Sequence, residues 1–304
     1  MNRFLCLFLL IFVASYSFSA GAGDHRHSST TSTSDDGAFD CSRVRSYFDD
    51  EETVRAEQDF TLTAAQVPQL QMDTTLGGIE VRGWDGSDYH IRACKTAGGA
   101  TTAEAQQTLQ QIRVEVASGK ISMHGPDGER QNWSVYLLVQ APRNANVDLK
   151  TTNGPISLRE LSGKVTARTT NGPISIKDCS GEVNASANNG PISLRGSTGD
   201  IHAETRNGPI SVSLTGTAWQ GAGLQAQAQN GPVSLFVPEN YQSGVVVQTD
   251  GHSPMSCRAS ACGNARKTWD EGYRRIELGS GAPAVKLSTV NGPASVQSGN
   301  SGEI

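Results

Sequence analysis

The side chains able to carry chemistry are few, and their spacing brings none of them together. His90, His124, His202 and His252 share no interval that would place two imidazoles on one metal. His25 and His27 lie closer and could hold a metal only weakly, with no further ligand at hand. Cys257 and Cys262 flank four residues. A zinc site built on such a pair needs a second ligand pair, which the sequence lacks, so a local disulfide is the expected state. Closing so short a loop stabilises by about 2 kcal/mol on the loop-entropy model, and its loss should leave the fold intact. Glu160 and Asp178 occupy one turn position of successive repeats and give way to Gly196 in the next. A polysaccharide-cleaving β-helix would instead converge carboxylates and an arginine on one groove. The calcium-binding pattern Gly-Gly-x-Gly-x-Asp is missing. So is a flat Thr-x-Thr face, because Thr169-Thr170 becomes Ala187-Asn188 one repeat later. The residues imply no metal, no cofactor and no catalytic constellation. A carbohydrate-active β-helix enzyme is the weaker alternative.

What the sequence repeats is a frame. Asn-Gly-Pro-Ile-Ser begins at Asn153, Asn171, Asn189 and Asn207, at intervals of 18 residues. It returns as Asn-Gly-Pro-Val-Ser at Asn230 and as Asn-Gly-Pro-Ala-Ser at Asn291. A fixed period of this size means a solenoid, in which each repeat buries its apolar face only against its neighbours. Within one unit Ile156 and Leu158 alternate with Ser157 and Arg159, and Val165 and Ala167 alternate with Thr166 and Arg168. Period-two alternation predicts two half-buried strands. The expected fold is all-β, a single-chain parallel β-solenoid with two short strands per 18-residue coil.

Asn153, Asn171, Asn189, Asn207 and Asn230 then fall at one corner, where amides can hydrogen-bond from coil to coil. Asn and Gly also tolerate the positive φ that a tight corner commonly demands. Proline, with no N–H, fits only where the ladder has just begun. Cys179 replaces Leu161 of the preceding unit and is expected to pack inward as a reduced thiol.

The flanks are less regular. Thr75–Arg82 matches Thr152–Arg159 position for position and predicts an upstream coil. Between them, Thr101-x-x-Glu104 reads as a capping box, with Ala105, Leu109 and Ile112 on one helical face. This short helix should cap one end of the stack, since an uncovered sheet edge invites aggregation. Strands are expected at Val114–Val116, Lys120–Met123 and Val135–Val139, with a turn at Ser118-Gly119. Downstream, the interval from Asn207 to Asn230 lengthens around Trp219, and Asp250-Gly251 reads as the next, worn corner. Regular coils are thus expected over 147–250, within a domain spanning 59–297.

Arg3, the apolar run from Phe4 to Ala14 and the small residues Ala20-Gly-Ala22 read as a secretory signal over 1–22. The run is too short to span a bilayer stably. Residues 23–58 are Ser/Thr-rich, then acidic, and read as a disordered linker; 298–304 reads as a flexible tail. The expected location is exported: periplasmic, cell-envelope or secreted, with no transmembrane segment in the mature chain. A net charge of −5 argues against nucleic acid, which demands a basic footprint. With only 6% aromatic residues, stability must accumulate over many coils rather than come from one thick core.

The arrangement resembles a family of exported bacterial β-strand-repeat domains of unknown function labelled putative adhesin. The residues carrying the likeness are Gly78-Ile-Glu-Val-Arg-Gly-Trp-Asp85, Gln140-Ala-Pro142 ahead of Val147-Asp-Leu149, the Thr-x-Asn-Gly-Pro-Ile-Ser coils, and Leu278-Gly-Ser-Gly281 with Leu287-Ser-Thr289. The resemblance implies a cell-envelope or secreted location and transfers no active-site residue.

Arg159, Lys177 and Arg195 share one outward position on successive coils, beside Ser157, Ser175 and Ser193. This basic stripe reads either as a solubilising face or as a contact surface. The function expected is a non-enzymatic, adhesin-like binding or scaffold protein whose ligand is an envelope or surface protein or glycan. The alternative is an envelope-stress or sensory accessory protein contacting a membrane regulator. The mature N-terminus is expected between Ala20 and Asp24. Mass spectrometry of exported protein tests this, and an intact Met1 or a lipidated cysteine would contradict it.

Overall fold

A computed structural model of the chain describes residues 29–33, 39–48, 51–127, 132–250 and 253–299. The signal sequence expected over 1–22 and the corner residue Gly251 lie outside the described residues, as does nearly all of the 298–304 tail. The described chain is all-β apart from one α-helix and three short 3-10 turns.

Each repeat contributes one strand to each of two open sheets, one of twelve strands and one of eleven. The longer strands, such as Lys164–Asn171 and Glu182–Asn189, end at the corner asparagine; the shorter ones, such as Ile174–Lys177, begin just after it. All are parallel and in register, so apolar residues align in rows. Val165, Val183, Ile201 and Leu224 form one row, Ala167, Ala185, Ala203 and Ala226 a second, and Ile156, Ile174, Ile192 and Ile210 a third. These rows face inward and are buried between the sheets, where they form one continuous core.

Spatial order departs from chain order at both ends. Upstream, Leu70–Leu76 and Ile79–Trp84 make the expected extra coil, with Leu70 beside Val147 and Ile79 beside Ile156. Downstream, the regular run expected to reach residue 250 is interrupted. The neighbour of Gly223–Asn230 is the late strand Ser280–Asn291, and Ser243–Asp250 pairs on its far side. The chain passes one slot by and fills it 61 residues later. Asn291 brings an amide N–H to this corner, donating its Nδ2 to Asn230 Oδ1 at 2.9 Å.

Both sheets continue past the upstream coil, first with one parallel strand each and then with antiparallel strands. Trp133–Pro142, Asp88–Gly99 and Glu52–Thr63 extend one, and Lys120–His124 with Arg113–Ala117 extends the other. Ser118 and Gly119 make the hairpin turn between the latter pair at φ 49° and 79°, the mirror-image turn that suits strand twist. The helix Thr102–Gln111 starts where Thr101 Oγ1 accepts the Glu104 N–H at 3.2 Å. It buries Ala105 and Leu109 against Asp88–Gly99 and Glu52–Thr63.

The linker expected over 23–58 is ordered through much of its described part. Ser29–Thr33 pairs with Val44–Phe48, and Glu52–Thr63 joins the sheet edge. Composition misleads here because long-range staples supply the order. Cys41 and Cys94 form a disulfide across 53 residues of sequence, worth about 4 kcal/mol on the loop-entropy model. Arg43 and Glu80 form an ion pair at 2.5 Å with both side chains almost fully buried. This segment covers the outer face of Trp133–Pro142, where Tyr136 and Leu138 are buried as well as the inward Val135 and Leu137. The unbroken apolar run there reflects burial on both faces.

At the second turn of each coil, Glu160, Asp178 and Gly196 share a left-handed conformation, with φ of 55°, 53° and 63°. The exchange of carboxylate for glycine at this position is therefore a backbone requirement. At the Asn-Gly corner the constraint is steric: a Cβ on Gly172 would collide with the carbonyl oxygen of Gly154 in the coil before. Gly172→Ala should cost about 2–4 kcal/mol. Asp178→Gly should leave stability unchanged or raise it by up to about 1 kcal/mol. Denaturant melts check both, and equal losses at the two positions would contradict this account.

Candidate functional site

The corner is the most ordered polar array in the described chain. The Nδ2 of Asn171 donates to Oδ1 of Asn153 at 2.8 Å, and Asn189, Asn207, Asn230 and Asn291 repeat the bond at 2.9, 3.0, 3.0 and 2.9 Å. All five expected asparagines are rungs, and Asn291 is a sixth. None of them has positive φ, so the expectation that asparagine serves an unusual backbone conformation is corrected. Asparagine serves the ladder, and glycine serves the close approach of corners.

The backbone closes the rest. Gly154 N–H donates to the Asn171 carbonyl at 2.9 Å, and the same bond recurs at Gly172, Gly190, Gly208 and Gly231. The prolines accept: Ile156 N–H reaches Pro173 O at 2.9 Å, and the missing proline N–H falls where the ladder needs no donor. Two residues before the asparagine, the buried hydroxyls of Thr169, Thr205 and Thr289 donate to the carbonyls of Gly154, Gly190 and Gly231 at 3.3, 2.9 and 2.7 Å. Weighing Thr169-Thr170 only against a flat Thr-x-Thr face, and finding none, missed this column. The signal was the position of Thr169 in step with inward Val165 and Ala167.

On the outer face of the eleven-stranded sheet, Arg159, Lys177 and Arg195 stand side by side as expected, and Arg82 extends their column by one coil. The serines at 157, 175, 193, 211 and 234 run beside them. Glu160 accepts from Arg143 at 2.9 Å and from Arg82 at 3.1 Å, and Arg143 also holds Asp85 at 2.7 Å. The hydrogen bond from Arg143, with the charge of Arg82 behind it, keeps the Glu160 carboxyl below its ordinary range. This cluster ties the upstream coil to the first regular one.

The outer face of the twelve-stranded sheet carries cross-coil ion pairs, Lys164–Glu182 at 2.7 Å and Arg168–Asp148 at 3.0 Å. Its depressions are shallow and open, lined by Lys150, Arg168, Ser186 and Glu204 among others. Cys257 and Cys262 form a disulfide beside the turn Ser260–Asn264. Cys179 is a free, buried thiol pushed up to about 11 by that burial, and its N–H donates to Ser197 Oγ at 3.1 Å. No three His, Cys, Asp or Glu side chains among the described residues are grouped to hold a metal. No helix among the described residues is long and apolar enough to cross a membrane.

If the ladder carries its share of stability, Asn171→Ala or Asn189→Ala should cost about 1 kcal/mol or more, since each removal strands a donor and an acceptor. Thr166→Ala, outward on the same strand type, should cost under about 0.5 kcal/mol. Chemical melts compare them, and equal effects would deny the ladder that share.

No curated protein matches the chain. Among solved structures, a putative adhesin from Bacteroides fragilis is similar at 10% identity and a TM-score of 0.38, over 81% of this chain and 97% of that one. A putative adhesin from Parabacteroides merdae is similar at 7% identity and 0.37, over 79% and 95%. A putative cell adhesion protein from Clostridium sporogenes is similar at 8% identity and 0.30, over 80% and 98%. Residues 139–256 match the family described as Toastrack DUF4097. The segment holding the Asn-Gly-Pro corners from Asn153 to Asn230 is therefore similar to the Toastrack DUF4097 family, in keeping with the sequence resemblance to a repeat family of unknown function labelled putative adhesin.

Proposed function

We propose that the chain is a β-solenoid exported to the periplasm, cell envelope or surface, where it binds an envelope or surface ligand and catalyses nothing. One observation carries this reading. Outward polar side chains repeat coil by coil as columns of asparagine, serine and basic residues. Catalysis needs dissimilar groups held at one point. Stacked repeats instead present long, chemically uniform surfaces suited to many weak contacts along one partner.

The column of Arg159, Lys177 and Arg195 is the contact surface with a charge of its own, and its natural complement is anionic envelope material. Replacing all three by Ser should weaken attachment of the purified protein to isolated envelope several-fold at low salt, and much less at high salt, where exposed charges are screened. Unchanged attachment would remove the column from the contact surface. Turnover of a glycan or peptide by purified protein, abolished by one carboxylate substitution, would sink the non-enzymatic reading.

A further inference from the structure

An open sheet ends in strands that direct a row of backbone N–H and C=O groups away from the sheet. Among the described strands there are four such edges: Met255–Cys257, Arg266–Trp269, Arg113–Ala117 and Glu52–Thr63. The first three are short, at three, four and five residues. Glu52–Thr63 is twelve residues long and pairs with Asp88–Gly99 from end to end without a bulge. It contains no proline, glycine or lysine. Shortness, bulges, proline and lysine are the usual means of keeping an edge from pairing, and this strand has none of them.

The two faces of this strand differ. Val54, Ala56, Phe60 and Leu62 pack toward the core but are only half-buried. Arg55, Glu57, Asp59 and Thr61 alternate with them on the outer face and are exposed. There Arg92 of the neighbouring strand holds Asp59 with two hydrogen bonds, at 2.8 and 2.9 Å, and its Nε lies 3.8 Å from Glu57.

We infer that two copies of the chain join through Glu52–Thr63, antiparallel and about a twofold axis at Glu57. Opposite residues of an antiparallel pair project from the same face, so the register must set outer residues against outer and inner against inner. With Glu57 on the axis, Arg55 of each copy stands opposite Asp59 of the other, Val54 opposite Phe60, and Thr53 opposite Thr61. Glu57 then faces Glu57 of the other copy, with an Arg92 beside each carboxylate. An axis at Gln58 would set Glu57 against Asp59 twice. An axis at Ala56 would set Val54 against Gln58 and Glu52 against Phe60. Of these three axes, only Glu57 satisfies charge and apolar matching together. The contact is isologous, so it uses the long edge of each copy and closes at two.

Sedimentation of the purified full chain over a concentration series reads the association, and single cysteines read the axis. A dimer should form as concentration rises. Arg55→Glu should weaken it at least about tenfold, because two attractive pairs become repulsive. Only on the axis does a residue face its own copy, so Glu57→Cys should cross-link the dimer under mild oxidation, whereas Arg55→Cys and Thr61→Cys should not. Circular dichroism like that of the parent chain shows that each variant keeps its fold. A chain that stays monomeric up to its solubility limit would overturn the inference. So would a dimer that Arg55→Glu leaves intact, or one that Ala56→Cys or Gln58→Cys links and Glu57→Cys does not.

Discussion

The fold depends on a donor and an acceptor being carried by one side chain at one corner. An asparagine rung gives its Nδ2 to the coil before and takes, through Oδ1, from the coil after, and five such bonds run unbroken from Asn153 to Asn291. Glycine next to it must be bare, because the preceding corner's carbonyl occupies the place of its Cβ. Corner spacing is therefore fixed, and length variation is pushed to the other turn. The longer interval between Asn207 and Asn230 still closes a 3.0 Å rung. Its extra residues loop out around Trp219, whose indole N–H is anchored on the Gly199 carbonyl at 3.0 Å.

The repeating part of this architecture was legible because its information is local. Ile156, Val165 and Ala167 face inward for the same reason in every coil, and the match of Thr75–Arg82 to Thr152–Arg159 located a coil with no Asn-Gly-Pro at all. The short helix was legible through Thr101 and its apolar face. What escaped was order imposed from a distance. The Ser/Thr-rich and acidic segment is held by Cys41–Cys94 and Arg43–Glu80, pairs whose members lie far apart in sequence and follow no period. The place of the last coil escaped for a related reason. Counting intervals favours Asp250 as the next corner, whereas the rung on Asn230 comes from Asn291.

The candidate contact surface was only partly legible. The column of Arg159, Lys177 and Arg195 followed from the period, but Arg82 joined it through the upstream coil. Arg82 also contacts Glu160, which Arg143 holds from the other side. One end of the column is thus tied into an ion-pair cluster that joins the upstream coil to the first regular one. Glu160 and Asp178 illustrate a second limit. Their alternation with Gly196 looked like loss of an acidic pair, yet all three share one left-handed backbone position, where glycine is the least strained choice.

A repeat with one corner chemistry must still stop. Parallel strands alone would let another coil, or another chain, add at either end of the stack. At Asn153 the ladder ends on Leu76, which takes no hydrogen bond from a side-chain amide. Beyond the coils some strands reverse. Asp88–Gly99 runs antiparallel to Trp133–Pro142 in one sheet, and Tyr273–Leu278 runs antiparallel to Ser243–Asp250 in the other. Strand direction does not close the stack, because of the four sheet edges among the described strands only Arg113–Ala117 runs against the coils, Glu52–Thr63 and Arg266–Trp269 having reversed twice and Met255–Cys257 lying parallel to Ala294–Ser298. The corner ladder, by contrast, spans only the rungs from Asn153 to Asn291.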